Sequence, residues 1–272
     1  MSKGKISTSL GNNSVFRRAE KLENVTNETA TIKGLSIKTL ILIGVTIVSA
    51  LFGILIANYM LNFFVVYLTI SIVIPLITFI LSLIMSFRPD AAKYLSIPYA
   101  VLEGLSIGAI CGICLIGFGK LGYLMVSLAF ILTLSVFLAA IILYFTGLVK
   151  VTSFFRKFMY VALLGSLIAS IMVSLVFLIG YLSGVMDMNF YQSAFEAGSI
   201  VRVFSLIGSF IMIVIASLYV LISLDNATNV VNNGLDKTYE WYAAFGIVIN
   251  LIWLFYQILR FVVLVLGGSK RK

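Results

Sequence analysis

Three acidic residues stand at or inside long apolar stretches of the sequence, namely Glu103, Asp225 and Glu240. In such surroundings a carboxylate exchanges a proton, binds a cation or pairs with a basic group, because an isolated charge is costly there. Asp225 ends one apolar stretch, where a helix C-terminus disfavours an acid, so we expect a functional role for it. Glu240 opens another stretch, where the helix dipole favours it. For Glu103, an ion or proton path and a structural hydrogen bond between helices are both open.

The last apolar stretch carries a polar stripe. Gly246, Asn250, Trp253, Gln257 and Arg260 follow one another at alternating steps of four and three residues, which places them on one helix face. We expect this face to point into a helix bundle. Its amide side chains either line a path or form interhelical hydrogen bonds, and its arginine either joins them or extends to the aqueous boundary.

Several kinds of chemistry are excluded by composition. The sequence has no histidine, so it contains neither a Ser/His dyad nor a His-bound zinc. Cys111 and Cys114 lie three residues apart in an apolar stretch. We expect them to be buried thiols at a helix contact and not to form a disulfide framework. We therefore expect no enzymatic activity and no cofactor, while a bound metal stays an open question.

The elements that position these residues are membrane spans. Of the 272 residues, 61% are hydrophobic and only 11% are charged, whereas an ordinary globular protein has roughly 25% charged residues. About 20 apolar residues cross a hydrocarbon core. The sequence therefore predicts an all-α, polytopic integral membrane protein with the lipid bilayer as its partner. We predict seven transmembrane helices, at about residues 39–61, 62–87, 94–119, 121–145, 158–182, 199–224 and 240–266.

The basic residues predict the orientation. Lys and Arg next to the spans stay on the cytoplasmic side, so we expect a cytoplasmic N-terminus and no cleaved signal peptide. We therefore attribute the net charge of +9 to membrane orientation and not to nucleic-acid binding. The predicted units are a basic N-terminal tail (1–38), a transmembrane domain (39–268) and a basic C-terminal tail (269–272). Seven crossings place Lys270, Arg271 and Lys272 outside, so either the last segment is re-entrant or these charges are tolerated.

A run of small residues follows Glu103. Gly104, Gly108 and Gly112 recur at every fourth position, a spacing that lets a second helix approach closely. This run follows no predicted strand and has no Lys after it, so it is not a phosphate-binding loop. We expect it to pack against another helix.

The sequence resembles the Bax inhibitor-1/YccA-like family, also called the TMBIM superfamily, in its bacterial branch with an extended N-terminal tail. The resemblance extends from about residue 15 to the C-terminus and rests on an ordered set of motifs: Phe16-Arg17-Arg18, residues 30–34, residues 99–104, Thr146-Gly147-Leu148, Val151-Thr152, Leu224-Asp225, residues 239–246 and Ile258-Leu259-Arg260. It implies seven helices with the last helix central, the inner membrane of a bacterium, and a pH-sensitive leak of calcium or another cation.

The resemblance also implies a pH latch. In the relatives two aspartates share a proton and, together with an arginine after the second helix, close the pore. Asp225 matches the first aspartate and Arg88 stands where the arginine is expected, but Asn250 replaces the second aspartate. An Asp/Asn pair titrates as a single group and binds calcium less well than two carboxylates. Glu103 or Glu240 would have to supply a second carboxylate.

Two functions remain open at this point. The first is an ion-conducting or proton-linked membrane protein, with Asp225, Asn250 and Arg88 as the latch and Glu103 lining the path. The second is a non-conducting protein that binds and modulates another membrane complex, such as a protease, through the basic tail and the glycine face. A small-solute transporter lacks the matched pair of broken helices that would support it.

Overall fold

The structure, a computed structural model, describes residues 28–60, 64–184 and 199–267. Within these ranges the long elements are all helices, and six of them are long and apolar enough to cross a membrane. The prediction of an all-α, multi-pass membrane protein is confirmed. The helices are α1 (Ile32–Met60), α2 (Phe64–Phe87), α3 (Ala92–Phe118), α4 (Lys120–Phe145), α5 (Ser153–Leu182), α6 (Ile200–Asn232) and α7 (Tyr239–Gly267), with a 3-10 turn (Pro89–Ala91) between α2 and α3.

Some predictions concern residues outside the described ranges. These are the basic tail up to residue 27 and the C-terminal tail at residues 269–272.

Several helices are longer than the apolar runs that predicted them. α1 begins at Ile32 and not at 39, and α5 begins at Ser153, where the Thr152 hydroxyl accepts a hydrogen bond from the Phe155 amide at 3.2 Å. α6 continues to Asn232, so the expectation that Asp225 ends this helix is wrong. Hydropathy marks the part of a helix that lies in hydrocarbon, whereas backbone hydrogen bonding continues into the polar flank. The helix-terminus argument for Asp225 therefore does not apply.

α7 is the central helix of the bundle. It packs against α1, α3, α4 and α6, and it buries side chains on several faces, including Val248, Leu254 and Ile258. A helix with buried side chains on several faces is enclosed by its neighbours. Its 29 residues span roughly 43 Å at ~1.5 Å per residue, which exceeds the ~30 Å hydrocarbon core.

α7 also crosses the whole bundle. Its first turn contacts Lys38 at the start of α1, and Gly267 in its last turn lies beside Phe118 at the end of α3. The re-entrant alternative for the last segment is thus not observed. The end of the bundle where α1, α3, α5 and α7 begin is called the basic end below, after the basic residues found there: Lys38, Arg88, Lys93, Lys150, Arg156, Lys157 and Lys237.

The glycine face of α3 packs on α1. A Cβ on Gly108 would overlap the Ala50 carbonyl oxygen and the Gly53 Cα, and a Cβ on Gly53 would lie 2.6 Å from the Leu105 carbonyl oxygen. Small residues on both helices therefore allow the two backbones to touch. Because α1 occupies this face, it is not available to a partner protein, contrary to the expectation above.

α5 is the least enclosed helix. Its two buried residues are Met159 and Gly180, and the helix it packs against is α6. The Tyr219 hydroxyl donates to the Met159 carbonyl at 3.0 Å and holds the two helices together near the basic end. Most of the α5 surface is therefore left to face lipid.

Candidate functional site

Asp225 is held by side chains from three helices near the basic end. Arg156 of α5 forms an ion pair with its Oδ2 atom. The Tyr144 hydroxyl of α4 donates to Oδ1 at 3.2 Å, and Asn229 Nδ2, one turn further along α6, donates to Oδ2 at 3.2 Å. The side chain of Asp225 is 19% exposed and that of Arg156 is 27% exposed, so both charges are largely withdrawn from water.

The guanidinium group of Arg156 reaches two neighbouring side chains at once. One of its nitrogens contacts Asp225 and the other donates to Asn226 Oδ1. A planar fork of donors is suited to this arrangement, whereas the ammonium group of a lysine is a single point. Arg156 lies in the first turn of α5, where the helix dipole disfavours a cation. That unfavourable position was a signal in the sequence that could have identified it.

The resemblance led us to expect Arg88 and Asn250 at this site. Arg88 follows α2, where its backbone amide donates to Ile84 at 2.8 Å, and the arginine that pairs with Asp225 is Arg156. Asn250 donates through Nδ2 to the Ser223 hydroxyl and to the Gly246 carbonyl, the latter at 3.0 Å. Ser223 stands two residues before Asp225, so the described contacts of Asn250 lie deeper along α6 than the ion pair does.

The polar stripe of α7 faces α6. Besides the Asn250 contact, Trp253 packs edge to face on Tyr219, with ring centroids 5.7 Å apart. Gln257 Oε1 is buried and has no hydrogen-bond partner among the described residues. Arg260 is exposed. From Asp225 inward, the seam between α6 and α7 thus carries a series of polar groups.

Glu103 lies on a different side of α7. It is half-buried, and its carboxyl group interacts with the hydroxyls of Thr78 on α2 and Tyr256 on α7. Asn250 and Tyr256 are six residues apart, which places them on different faces of the helix. Glu103 therefore does not belong to the Asp225 cluster.

Glu240 is a third, separate site. Its side chain is 1% exposed and pairs with Lys38 Nζ at 2.6 Å, while the Thr31 amide donates to it at 2.7 Å. Lys38 also lies over the Trp241 ring, 5.3 Å from the centroid. The Glu240 carboxylate thus joins the start of α7 to the start of α1.

Residues 28–38 form an N-terminal strap across the loop between α6 and α7. The Ala30 amide donates to the Leu235 carbonyl at 2.7 Å, and Lys237 pairs with Glu28. The pKa of Lys237 is raised above its ordinary value, because the Glu28 carboxylate accepts a hydrogen bond from its ammonium group and attracts its charge. The Asp236 carboxylate accepts a hydrogen bond from the Thr238 amide at 2.7 Å, in the turn just before α7.

The three acids singled out in the sequence are therefore in three different places. Within the described residues, no three His, Cys, Asp or Glu side chains are grouped so that they could hold a metal ion. Cys111 and Cys114 are buried free thiols.

Comparison with known families and proteins gives one clear result. The profile of a family described as Bax inhibitor 1 like matches residues 13–266. No curated protein and no solved structure matches.

Proposed function

The chain belongs to the Bax inhibitor 1-like family, and we propose that it is a pH-sensitive cation leak closed by the ion pair of Asp225 and Arg156. The observation that carries this proposal is that Asp225 joins α4, α5 and α6 through side-chain contacts. A single partly buried carboxylate that holds three helices together is a place where one proton changes the packing.

The proposed opening step is protonation of Asp225. A neutral carboxyl group no longer attracts the guanidinium group, and Arg156 is left with a charge that has to reach water. α5 has few other buried contacts, so we expect it to separate from α6 at the basic end. Tyr144 then loses the ionised acceptor that it contacts on α6.

The proposed path is the seam between α6 and α7. Beyond Asp225 it presents the Ser223 hydroxyl, the Asn250 amide and the Gln257 carbonyl oxygen. Neutral oxygens bind a cation weakly, and conduction requires binding weak enough for the ion to leave. Asn250 thus fits a leak for calcium or another cation better than it fits a tight calcium site.

We further propose the inner membrane of a bacterium as the location, with the N-terminus in the cytoplasm. The support for this orientation is the set of Lys and Arg residues at the basic end, since such residues are retained on the cytoplasmic side. In that orientation Asp225 lies towards the cytoplasmic side of the bundle.

Flux measurements on the purified full chain in liposomes loaded with a calcium dye test the leak. We expect calcium entry that increases as the pH is lowered, because a neutral Asp225 no longer attracts Arg156. Asp225→Asn should give a high flux that no longer depends on pH, while Asp90→Asn, in the 3-10 turn outside the site, should behave as the unmodified chain does. Flux no greater than in empty vesicles, or an Asp225→Asn variant with unchanged pH dependence, contradicts the proposal.

A non-conducting partner protein is the second candidate. The observation that favours it is the exposed surface of α5, where Gly165 has no atom within 4 Å of the position that a Cβ would take. A partner helix packed there would modulate another membrane complex without any flux. Purification in mild detergent tests this function. If the unmodified chain and the Gly165→Leu variant both elute without a co-purifying protein, the function is contradicted.

A further inference from the structure

A cavity of about 410 Å³ lies between α1, α3, α4 and α7. Its floor is formed by buried residues of two helices, Ile107 and Cys111 on α3 and Val248 and Ile252 on α7. Residues 248–255 are in the middle part of α7, so the cavity lies at the depth of the hydrocarbon core. Its size is in the range of ligand-binding pockets, roughly 300 to 1,000 Å³.

The cavity is separate from the seam that we propose as the ion path. Val248 and Ile252 line it, whereas Asn250, which stands between them in the sequence, contacts Ser223 of α6. Side chains two residues apart on an α-helix point about 200° apart. The cavity and the seam are therefore on opposite sides of α7, and an inference about the cavity does not depend on the leak.

The cavity opens sideways to the bilayer between α1 and α4. Among the described residues, each of these two helices packs on α3 and on α7, but they have no comparable packing on each other. The side chains along the opening are exposed, among them Leu51 on α1 and Phe130 on α4. The acyl chains of the surrounding lipids therefore have direct access to the cavity.

The walls of the cavity favour an apolar occupant. Two buried threonines contribute to them, but the Thr46 hydroxyl donates to the Leu42 carbonyl at 2.9 Å and the Thr133 hydroxyl donates to the Ala129 carbonyl at 2.6 Å. Because a hydroxyl has one hydrogen, neither threonine offers a donor to a ligand. Water gains few hydrogen bonds in such a space, and leaving it empty forfeits dispersion contacts. An alkyl chain is the occupant that fits these walls.

Lys120 lies where the headgroup of such an occupant would be. α4 begins at this residue, at the end of the bundle opposite the basic end. Lys120, Ser127 and Leu134 follow one another at steps of seven residues, so Lys120 shares the face of α4 that borders the cavity. It is exposed and, within the part of the chain that the structure describes, it forms no ion pair. An ammonium group at the membrane surface attracts the phosphate of a lipid.

The distance along α4 suits a lipid of this leaflet. Val126, which lines the cavity, is about 9 Å further along the helix than Lys120. An acyl chain of one leaflet extends through about half of the ~30 Å hydrocarbon core, so it reaches the cavity. We propose that the cavity binds one acyl chain of a bilayer phospholipid whose phosphate lies at Lys120. The bound chain fills the space that α1 and α4 leave between them.

Photolabelling of the full chain in liposomes tests this proposal. The probe is a phosphatidylglycerol with a diazirine in the middle of one acyl chain, and mass spectrometry of the peptides locates the adducts. We expect adducts on residues 43–54 and 126–134, and Ser127→Phe, which fills the cavity from its exposed rim, should lower this labelling several-fold. Ser135→Phe, at an exposed position of the same helix outside the cavity, is the matched control. Leu51→Trp, on the opposite wall, covers the case in which Ser127→Phe does not fold.

The headgroup position is tested by changing Lys120. Lys120→Gln should lower the labelling by about fivefold, the effect of one charge at the membrane surface, whereas Lys120→Arg should retain it. Unchanged labelling in Lys120→Gln overturns the headgroup position.

Three results would overturn the proposal as a whole. Equal labelling in Ser127→Phe and Ser135→Phe would identify boundary lipid only. Loss of the labelling when an equal amount of a free fatty acid is added would assign the cavity to fatty acids, and a dimer that Ser127→Phe dissociates would assign it to a second copy of the chain. Because no ion flux is measured, failure of the leak and failure of this site are distinguishable.

Discussion

Arg156 of α5 forms an ion pair with Asp225 of α6, and the same guanidinium group donates to Asn226. The least enclosed helix of the bundle is thus attached through a charge to the helix that borders the central one. A contact of this kind can be broken by a proton, whereas an apolar contact cannot.

Neutralising Arg156 should release α5. For Arg156→Gln we expect a loss of about 1.5 to 3 kcal/mol of stability, the usual value of a hydrogen bond to a charged group, and a flux that no longer depends on pH. Thermal unfolding in detergent and liposome flux measure the two effects. Arg156→Lys should be intermediate, because an ammonium group does not bridge Asp225 and Asn226. Lys157→Gln, in the same turn, is the matched control; if it has the same effect, the ion pair is not the cause.

Removing the Tyr144 hydroxyl should make the latch open more easily. Tyr144 donates to Asp225 Oδ1 and so connects α4 to α6. In Tyr144→Phe we therefore expect a higher flux than in the unmodified chain, with a stability loss of about 1 kcal/mol. Tyr123→Phe, an exposed tyrosine in the same helix, serves as the control. A flux lower than that of the unmodified chain would contradict this role of the hydroxyl.

The α1 and α3 contact should not tolerate a larger residue at Gly108. A Cβ there overlaps the Ala50 carbonyl oxygen, and overpacking costs about 1 to 3 kcal/mol, so Gly108→Ala should unfold at a lower temperature. Gly165→Ala in α5 has open space around it and should be neutral or stabilising, since alanine in a helix is favoured over glycine by roughly 0.5 to 1 kcal/mol. Equal melting temperatures for the two variants would mean that the glycines do not set the helix distance.

The buried pair of Glu240 and Lys38 should contribute far more to the stability of the fold than the exposed pair of Glu28 and Lys237. Glu240→Gln leaves Lys38 without its charged partner, which costs about 3 to 5 kcal/mol when a pair is buried. Lys237→Gln removes an exposed pair, for which little or no loss of stability is expected. Thermal unfolding of both variants gives the comparison, and similar losses would contradict the assigned burial of Glu240.

The pH dependence of the exposed pair follows from the raised pKa of Lys237. The contribution of this pair to the stability of the fold is present below the ordinary lysine pKa. It is lost as the pH rises through the higher pKa of the folded state. The pair therefore remains intact between about pH 6 and pH 8, where neither lysine nor glutamate titrates.

The apolar runs predicted the spans, because burial in hydrocarbon requires an uninterrupted apolar sequence. The sequence also singled out Asp225 and Glu240 as acids next to apolar runs, but not the residues that pair with them. Arg156 is 69 positions from Asp225 and Lys38 is 202 positions from Glu240, and which helices become neighbours is not encoded in the pattern of any single helix. The extent of α6 beyond Asp225 was missed because its last turns are polar, and a hydropathy argument stops where the polar residues begin.

The strap of residues 28–38 carries a consequence for biosynthesis. It joins the first helix to the last, through Lys38 and Glu240. During translation α1 and α3 can meet early through their glycines, but Lys38 remains without its partner until the segment after Leu235 has been made. The contact between α1 and α7 therefore cannot form before residue 240 has been made, and a product that ends earlier would leave Lys38 without its partner.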